Sequence, residues 1–254
     1  MKRVLVLGGT TEARLLAERL AGRPDLNMTL SLAGRTASPA RQPVPVRRGG
    51  FGGVAGLAAY LVRERIDVLI DATHPYAKVI SDNAVTACSQ IGTPLLVLRR
   101  PPWIATAADQ WTEVADVREA ARTLGEIPRR VFVALGRNEL APFNEAPQHF
   151  YLIRSVDPVD PRLPLPHVAY VTGRGPFSDA ADRALMTEHR IEVVIAKNSG
   201  GAATYSKIAA ARMMHIGVIM LRRPPAPAAP AVETVADALG WLDHALTLAT
   251  ARGV

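Results

Sequence analysis

Short runs of branched apolar residues alternate along the chain with stretches whose apolar positions recur every three or four residues. Arg3-Val-Leu-Val-Leu7 reads as a strand buried on both faces, and a Gly-Gly turn separates it from an amphipathic helix over 12–20. Residues 30–33 predict a second strand, 66–70 another, 79–90 a helix and 94–98 a further strand. Alternation of this kind predicts a parallel α/β sheet covered by helices on both faces.

The pattern also repeats. Under a shift of 125 residues, Arg65-Ile-Asp-Val-Leu-Ile70 falls on Arg190-Ile-Glu-Val-Val-Ile195. Ala77, Ser81, Ala84, Ile91 and Gly92 then fall on Ala202, Ser206, Ala209, Ile216 and Gly217. After two residues are lost, Leu98-Arg-Arg-Pro-Pro102 returns as Leu221-Arg-Arg-Pro-Pro225. Glu113-Val-Ala-Asp116 resembles Thr234-Val-Ala-Asp237, each opening a helix, and Val4-Leu-Val-Leu-Gly-Gly9 has a counterpart in Val131-Phe-Val-Ala-Leu-Gly136. Convergence on Val/Ile strands accounts for the strand matches but not for the paired Leu-Arg-Arg-Pro-Pro, so the chain reads as a duplication. The expected fold is α/β: two similar Rossmann-like, doubly wound parallel-sheet domains with a ligand cleft between them. Their expected extents are 1–126 and 127–254, and the segment 103–126 fits either half. Each Arg-Arg-Pro-Pro marks where a strand leaves its sheet, since proline has no N–H for the ladder.

Composition changes little in this picture and charge changes more. With 48% apolar and 21% charged residues the chain is ordinary globular protein, and with 5% aromatics its cores must be built from Val, Leu, Ile and Ala. The net charge is +7, and residues 1–100, with 14 basic and 7 acidic side chains, carry all of it. A basic half calls for an anionic partner: nucleotide, polycarboxylate, nucleic acid or membrane surface. A single cysteine, Cys88, excludes an internal disulfide and a cysteine-based zinc site. The six histidines show no HxH or HExxH spacing, so no metal is expected. There is no GxSxG elbow, no Walker loop, and no tyrosine followed four residues later by lysine. The apolar run after Lys2 and Arg3 stops at Gly8, too short for a signal-peptide core, and no stretch approaches the roughly 20 apolar residues of a membrane span. The expectation is a soluble, cytoplasmic protein.

Gly8-Gly9-Thr10-Thr11-Glu12-Ala13 stands between the first strand and its helix, where a glycine turn lets backbone approach a pyrophosphate and helix N–H groups hold its charge. The match to GxGxxG is imperfect, with Thr10 and Ala13 at the second and third glycine positions. The second strand runs out through Ser31-Leu-Ala-Gly34-Arg35-Thr36, which offers no carboxylate to a ribose 2′-hydroxyl. Arg35 would instead pair with a 2′-phosphate, which favours NADPH over NADH. The cofactor set is therefore Gly8, Gly9, Thr10, Thr11, Glu12, Gly34, Arg35 and Thr36, with Thr73 from the next strand end. A ligand-free turn and a solvated Arg35 are the plain alternatives.

In the second half Leu135-Gly136-Arg137-Asn138-Glu139 puts a long cation where a phosphate-hugging turn needs small residues. One dinucleotide site is expected, and the second half should face the other reactant. Three strand-end loops are rich in polar groups: 71–77 (with Thr73, His74 and Tyr76), 171–178 (with Arg174 and Gly175) and 196–201 (with Lys197, Asn198, Ser199, Gly200 and Gly201). Arg137, Arg174, Gly175 and Asn198 to Gly201 form the expected substrate set. A turn-capping role for His74 and a solvated Lys197 are the alternatives. The glycine loop 49–53 reads as flexible, closing over a ligand or acting as a plain linker.

With Leu-Gly-Gly-Thr-Thr-Glu-Ala (7–13), Asp-Ala-Thr-His-Pro-Tyr-Ala (71–77), Gly-Pro-Phe-Ser (175–178) and Lys-Asn-Ser-Gly-Gly followed by Lys207-Ile-Ala-Ala-Ala-Arg212, the chain resembles the precorrin-6A reductase family of vitamin B12 (cobalamin) biosynthesis. The motifs span nearly the whole chain, and Thr-His-Pro-Tyr-Ala is the most specific. Arg137 departs from the smaller residue expected in many relatives. The resemblance implies two Rossmann-like domains and NADPH-dependent reduction of one double bond of precorrin-6A, giving precorrin-6B; some relatives act on the cobalt-containing form. The macrocycle's acetates and propionates suit a basic cleft. Hydride transfer needs no protein nucleophile, only orientation, exclusion of water and a proton for the neighbouring carbon, for which Tyr76, His74 and Lys197, or a water they hold, are the candidates. The implied partners are the anionic tetrapyrrole and other enzymes of the pathway, with no nucleic acid and no membrane. Two rival readings stand beside it: another NADP-dependent reductase with a smaller anionic substrate, and a non-enzymatic anion or nucleic-acid binder. Scattered cations and few aromatics speak against the last.

Overall fold

The structure is a computed structural model that describes residues 1–34 and 41–251. The chain forms two compact units, one joining Met1–Pro101 to Pro224–Val254 and the other comprising Pro102–Arg223.

In the first unit, strands β1 (Lys2–Leu7), β2 (Leu26–Leu32), β3 (Val46–Arg48), β4 (Val68–Asp71), β5 (Leu95–Leu98) and β12 (Ala231–Val232) form a parallel sheet in the order β12-β5-β4-β1-β2-β3. Alternate residues of β1 serve opposite faces, as strand geometry requires. Val4 and Val6 pack with α1 (Thr11–Leu20) and α7 (Val235–Ala251), through Leu16, Leu20, Ala238 and Leu242. Leu5 and Leu7 pack with α2 (Gly53–Arg63) and α3 (Lys78–Ile91), through Leu57, Leu61, Ala84 and Ala87. A strand buried on both sides favours apolar side chains, which is why Val4–Leu7 of β1 and Val68–Ile70 of β4 read as apolar runs; the buried Asp71 stands at the strand end.

The second unit repeats this plan with β6 (Trp111–Val114), β7 (Arg130–Ala134), β8 (Phe150–Ser155), β9 (Val168–Thr172), β10 (Val193–Lys197) and β11 (Gly217–Leu221), ordered β6-β11-β10-β7-β8-β9 and again parallel. Its helices are α4 (Val117–Thr123), α5 (Asp179–Glu188) and α6 (Ser206–Met213). The duplication extends to the backbone. Arg65 and Arg190, 125 residues apart, both adopt the left-handed conformation at φ +50°. Each follows a helix whose end is tied by the same pair of bonds, Arg65 N–H to Val62 and Ile66 N–H to Leu61, Arg190 N–H to Thr187 and Ile191 N–H to Met186.

The expected boundary at 126/127 is replaced by an exchange. After β5 the chain passes through Arg99-Arg100-Pro101-Pro102 into the second unit, where β6 pairs with β11; after β11 it passes through Arg222-Arg223-Pro224-Pro225 back to the first, where β12 pairs with β5. Each unit thus carries the last strand and helix of the other repeat. The segment 103–126 belongs to the second unit and the C-terminal helix to the first. Proline pairs end both ladders and carry the chain past its own sheet edge.

Among the described residues no helix is long and apolar enough to cross a membrane, and no group of three or more His, Cys, Asp or Glu could hold a metal ion.

Candidate active site

In a doubly wound sheet the loops leaving the two strands at which the order reverses run to opposite faces and leave a crevice between them. In the first unit those strands are β1 and β4. Thr10 caps α1, its hydroxyl oxygen accepting the Ala13 N–H at 3.1 Å, and donates to the Ala72 carbonyl at 2.8 Å, which ties the turn after β1 to the loop after β4. Both glycines have a structural reason. A Cβ on Gly8 would stand 2.6 Å from Leu30 Cδ1, while Gly9 sits at φ +117° with nothing within 4 Å of where its Cβ would be. The turn therefore presents open space beside the unpaired N–H groups that begin every helix. Those observations fit a pyrophosphate. Glu12, in the first turn of α1, is held in an ion pair by Arg100, so its carboxylate charge is balanced at that mouth.

On the β4 side, buried Asp71 accepts from the Thr73 N–H at 3.0 Å and from its hydroxyl at 2.7 Å. His74 Nδ1 accepts the Tyr76 N–H at 3.3 Å, and the two rings lie 5.6 Å apart. Arg99, at the end of β5, donates to the Pro224 carbonyl at 2.7 Å. Burial lowers the pKa of its guanidinium, and the nearby Asp71 and Tyr76 partly offset this. A shallow pocket runs over Asp71, Thr73, His74, Lys78 and Arg99.

In the second unit the reversal falls between β7 and β10. Here no α-helix follows the first strand; Gly136 leads into two single turns, Arg137–Glu139 and Ala141–Glu145. Lys197, at the end of β10, donates to both carboxylate oxygens of Glu139, which also accepts the Gly136 N–H at 3.2 Å. Asn198 is buried and clasps the backbone of Trp103, accepting its N–H at 2.8 Å and donating to its carbonyl at 2.9 Å. The Asn198 carbonyl accepts from Arg223 Nε at 2.6 Å. Ser199 and Thr204 hydroxyls meet at 3.2 Å, and Gly200 takes φ +73°. The loop after β9 leans on this turn: Phe177 N–H reaches the Ala203 carbonyl at 3.3 Å, and a Cβ on Gly175 would stand 2.9 Å from the same oxygen.

Of the residues expected at the site, Gly8 to Glu12 and Thr73 meet at the reversal point of the first unit, with His74 and Tyr76 beside them. Lys197 to Gly201 and Gly175 gather in the second unit, where Gly201 opens the turn Ala202–Thr204. Arg137 and Arg174 are exposed, the latter beyond β9. Gly34 lies at the end of β2, its would-be Cβ 3.8 Å from the Gly49 nitrogen. Arg35 and Thr36 lie outside the described residues. The glycine loop is held rather than loose: Arg47 donates to the Gly49 and Gly50 carbonyls at 2.6 and 2.7 Å and covers the Phe51 ring at 3.7 Å. Sequence reasoning missed Arg99, Arg100, Arg223 and Glu139. The repeated Leu-Arg-Arg-Pro-Pro was the available signal for the arginines, and the match of Glu139 to Glu12 under the front-end alignment was the signal for the carboxylate.

Parallel doubly wound sheets with this order reversal define the Rossmann-type fold, and this chain carries two of them, one with a glycine turn and helix start at the reversal. Within that class it belongs to the family described as precorrin-6x reductase CbiJ/CobK, which it matches over residues 3–243. A precorrin-6A reductase of Sinorhizobium sp is 51% identical over 242 residues, 95% of this chain and 93% of that one. One from Rhodobacter capsulatus is 49% identical over 255 residues and covers 100% of both chains. The solved structure of a CobK precorrin-6A reductase superposes with a TM-score of 0.92 at 48% identity, over 96% of this chain and 97% of its own.

Proposed function

We propose that the protein reduces one carbon–carbon double bond of precorrin-6A to give precorrin-6B in cobalamin biosynthesis, with NADPH as the reductant. The observation that carries this reading is the contrast between the open, glycine-lined helix start of the first unit and the lysine-filled turn of the second. The first suits a pyrophosphate and the second a carboxylate. Gly8, Gly9, Thr10 and Thr11 would hold the pyrophosphate, and Gly34, Arg35 and Thr36 the 2′-phosphate end. When bound, the cofactor supplies the hydride.

The chain's own residues then have three tasks. Arg174 binds a carboxylate of the macrocycle through charge-assisted hydrogen bonds, and Lys197 does so by exchanging its bond to Glu139 for one to the substrate. The tie from Thr10 to Ala72 keeps the loop 72–77 in register with the cofactor turn, so that orientation is set before reaction. Tyr76 or His74, whose ring centroids lie 5.6 Å apart, delivers the proton to the carbon next to the reduced one, directly or through a water, with Lys197 the third candidate. A soluble, carboxylate-rich substrate and a nicotinamide reductant fit a cytoplasmic enzyme.

The test is anaerobic incubation with precorrin-6A and either NADPH or NADH, followed at the nicotinamide absorbance band with the tetrapyrrole product analysed. Stoichiometric oxidation with strong preference for NADPH is expected. NADPH binding without consumption would turn the reading to a smaller anionic acceptor.

A further inference from the structure

Under the 198–204 turn of the second unit lies a cluster of charge shielded from solvent. Arg154 of β8 is 7% exposed, Asp182 of α5 1%, and Ser206 and Lys207 of α6 3% and 4%. Asp182 accepts from the Arg154 guanidinium and, at 2.6 Å, from the Ser206 hydroxyl. Arg154 also lies 3.9 Å over the ring of Phe177, in the loop after β9. Lys207 Nζ donates to the Thr204 carbonyl and sits 5.0 Å from the centre of the Trp103 ring, whose backbone the Asn198 amide clasps. Two buried cations thus lie near one carboxylate, which bonds Arg154 and acts on Lys207 only through its charge. A buried ammonium is expensive, and a methionine would fill the same space without that cost.

We propose that Lys207 is a positioning residue for the substrate: by fastening the Thr204 carbonyl and the Trp103 ring from below, it holds the turn 198–204 in the shape that receives the anionic macrocycle. This rests on the reading that the turn faces the substrate. Burial, with Arg154 adding repulsion and Asp182 opposing both, brings the Lys207 ammonium down to about 7. The other charged groups near its contacts are Asp109 and Arg212, paired at 2.9 Å, with Arg212 bound to the hydroxyl of Tyr205, whose ring meets Trp103 at 5.4 Å. A protonated amine grips a carbonyl more firmly than a neutral one. The hold on the turn therefore weakens as pH rises through neutrality.

The experiment measures KM for precorrin-6A, kcat and NADPH affinity from pH 6.5 to 8.5 in the wild type, Lys207→Met and Lys207→Arg. In the wild type, KM for the tetrapyrrole should rise severalfold across this range while NADPH affinity stays level. Lys207→Met should raise KM about tenfold at pH 6.5 and remove the pH dependence, with kcat little changed, because a hydrogen bond from a charged group is lost. Lys207→Arg, which stays charged, should keep the low KM to pH 8.5. A wild-type KM that is flat with pH, or an unchanged KM in Lys207→Met, overturns the proposal. Amide exchange across 198–205 then tells which idea failed. Faster exchange in Lys207→Met with unchanged KM means the turn does not receive the substrate, and unchanged exchange means that Lys207 does not fasten it. Should Lys207→Met fail to fold, the wild-type profile and Lys207→Arg decide alone.

Discussion

In the first unit β1 runs through Gly8-Gly9 into a ten-residue helix, whereas in the second β7 runs through Gly136 into two single turns before β8 begins. Both turns keep a glutamate, and both glutamates are paired with a cation. Glu12 takes Arg100 from just beyond β5, and Glu139 takes Lys197 from the end of β10, one strand nearer the reversal point. Moving the cation by one strand changes what the crevice can accept. With the arginine set back, the first turn stays lined by glycine and threonine and open to a phosphate. With the lysine at the reversal point and the helix gone, the second loses its row of N–H donors and carries instead an ammonium paired with Glu139. The sheets beneath are nearly interchangeable, so the two copies of a duplicated domain have been specialised at their strand ends while their cores stayed alike.

The sharpest way to break this comparison is to remove the proposed proton donors. Tyr76→Phe and His74→Ala should be measured for kcat under saturating cofactor and tetrapyrrole; the residue that donates should show a loss of about 10²–10⁴-fold, with little change in either affinity. Two wild-type rates would move the donor to the second unit, to Lys197 or a water it holds.

Next comes a crossed pair of lesions. Gly9→Val forces a branched residue into φ +117° and fills the open side of the turn, so NADPH affinity should fall by about a hundredfold or more while tetrapyrrole binding persists. Lys197→Ala and Arg174→Ala should do the converse, weakening tetrapyrrole binding by ~1–3 kcal/mol each with NADPH affinity unchanged. Titration of each variant with each ligand reads the cross. Losses that fall on the same ligand for both sets would mean that the units do not divide the reactants.

The smallest effect concerns acid stability. His149, in the second unit, is buried; its Nδ1 accepts the Arg129 N–H at 3.1 Å, and its pKa is lowered by burial, with Arg129 adding to this and the backbone of Gly125 opposing it. The neutral ring is favoured in the fold, while the unfolded chain takes up a proton below about pH 6.5. Stability should therefore fall as pH drops from 7 towards 5.5, by at most about 1.4 kcal/mol per pH unit. In His149→Asn, which keeps an acceptor for Arg129 but cannot be protonated, the denaturation midpoint should depend less on pH. An unchanged slope would assign the acid sensitivity to other groups.

Much of this was legible in the chain itself. The strands at 3–7, 66–70 and 94–98 and the helices at 12–20 and 79–90 lie within a residue or two of the observed elements, because a strand buried on both faces and an amphipathic helix each leave a strong periodic signal. The turn at Gly8-Gly9 was legible for the same reason. The exchange of β6 and β12 was not. When two repeats are alike, a strand and helix from either one satisfies either sheet, and no local residue preference records which it joins. The bidentate clasp of Asn198 on Trp103 was equally hidden, since it spans 95 residues. An asparagine in a glycine-rich loop gives no sign in the sequence that its amide clasps a backbone so distant. The charge cluster of Arg154, Asp182 and Lys207 needs three elements to come together before burial alters any of its members.

The exchanged strands also bear on the order in which the protein can be made. The second unit is a single uninterrupted stretch, complete once Arg223 has been synthesised. The first unit opens with β1 yet lacks its edge strand and the helix that covers Leu16 and Leu20 until residues 231–251 have appeared. Domains of a nascent chain commonly form from the N-terminus onward. With that order the unit that opens first closes last: until residues 231–251 are made, its first five strands keep an unpaired edge at β5 and the apolar face that α7 covers stays open.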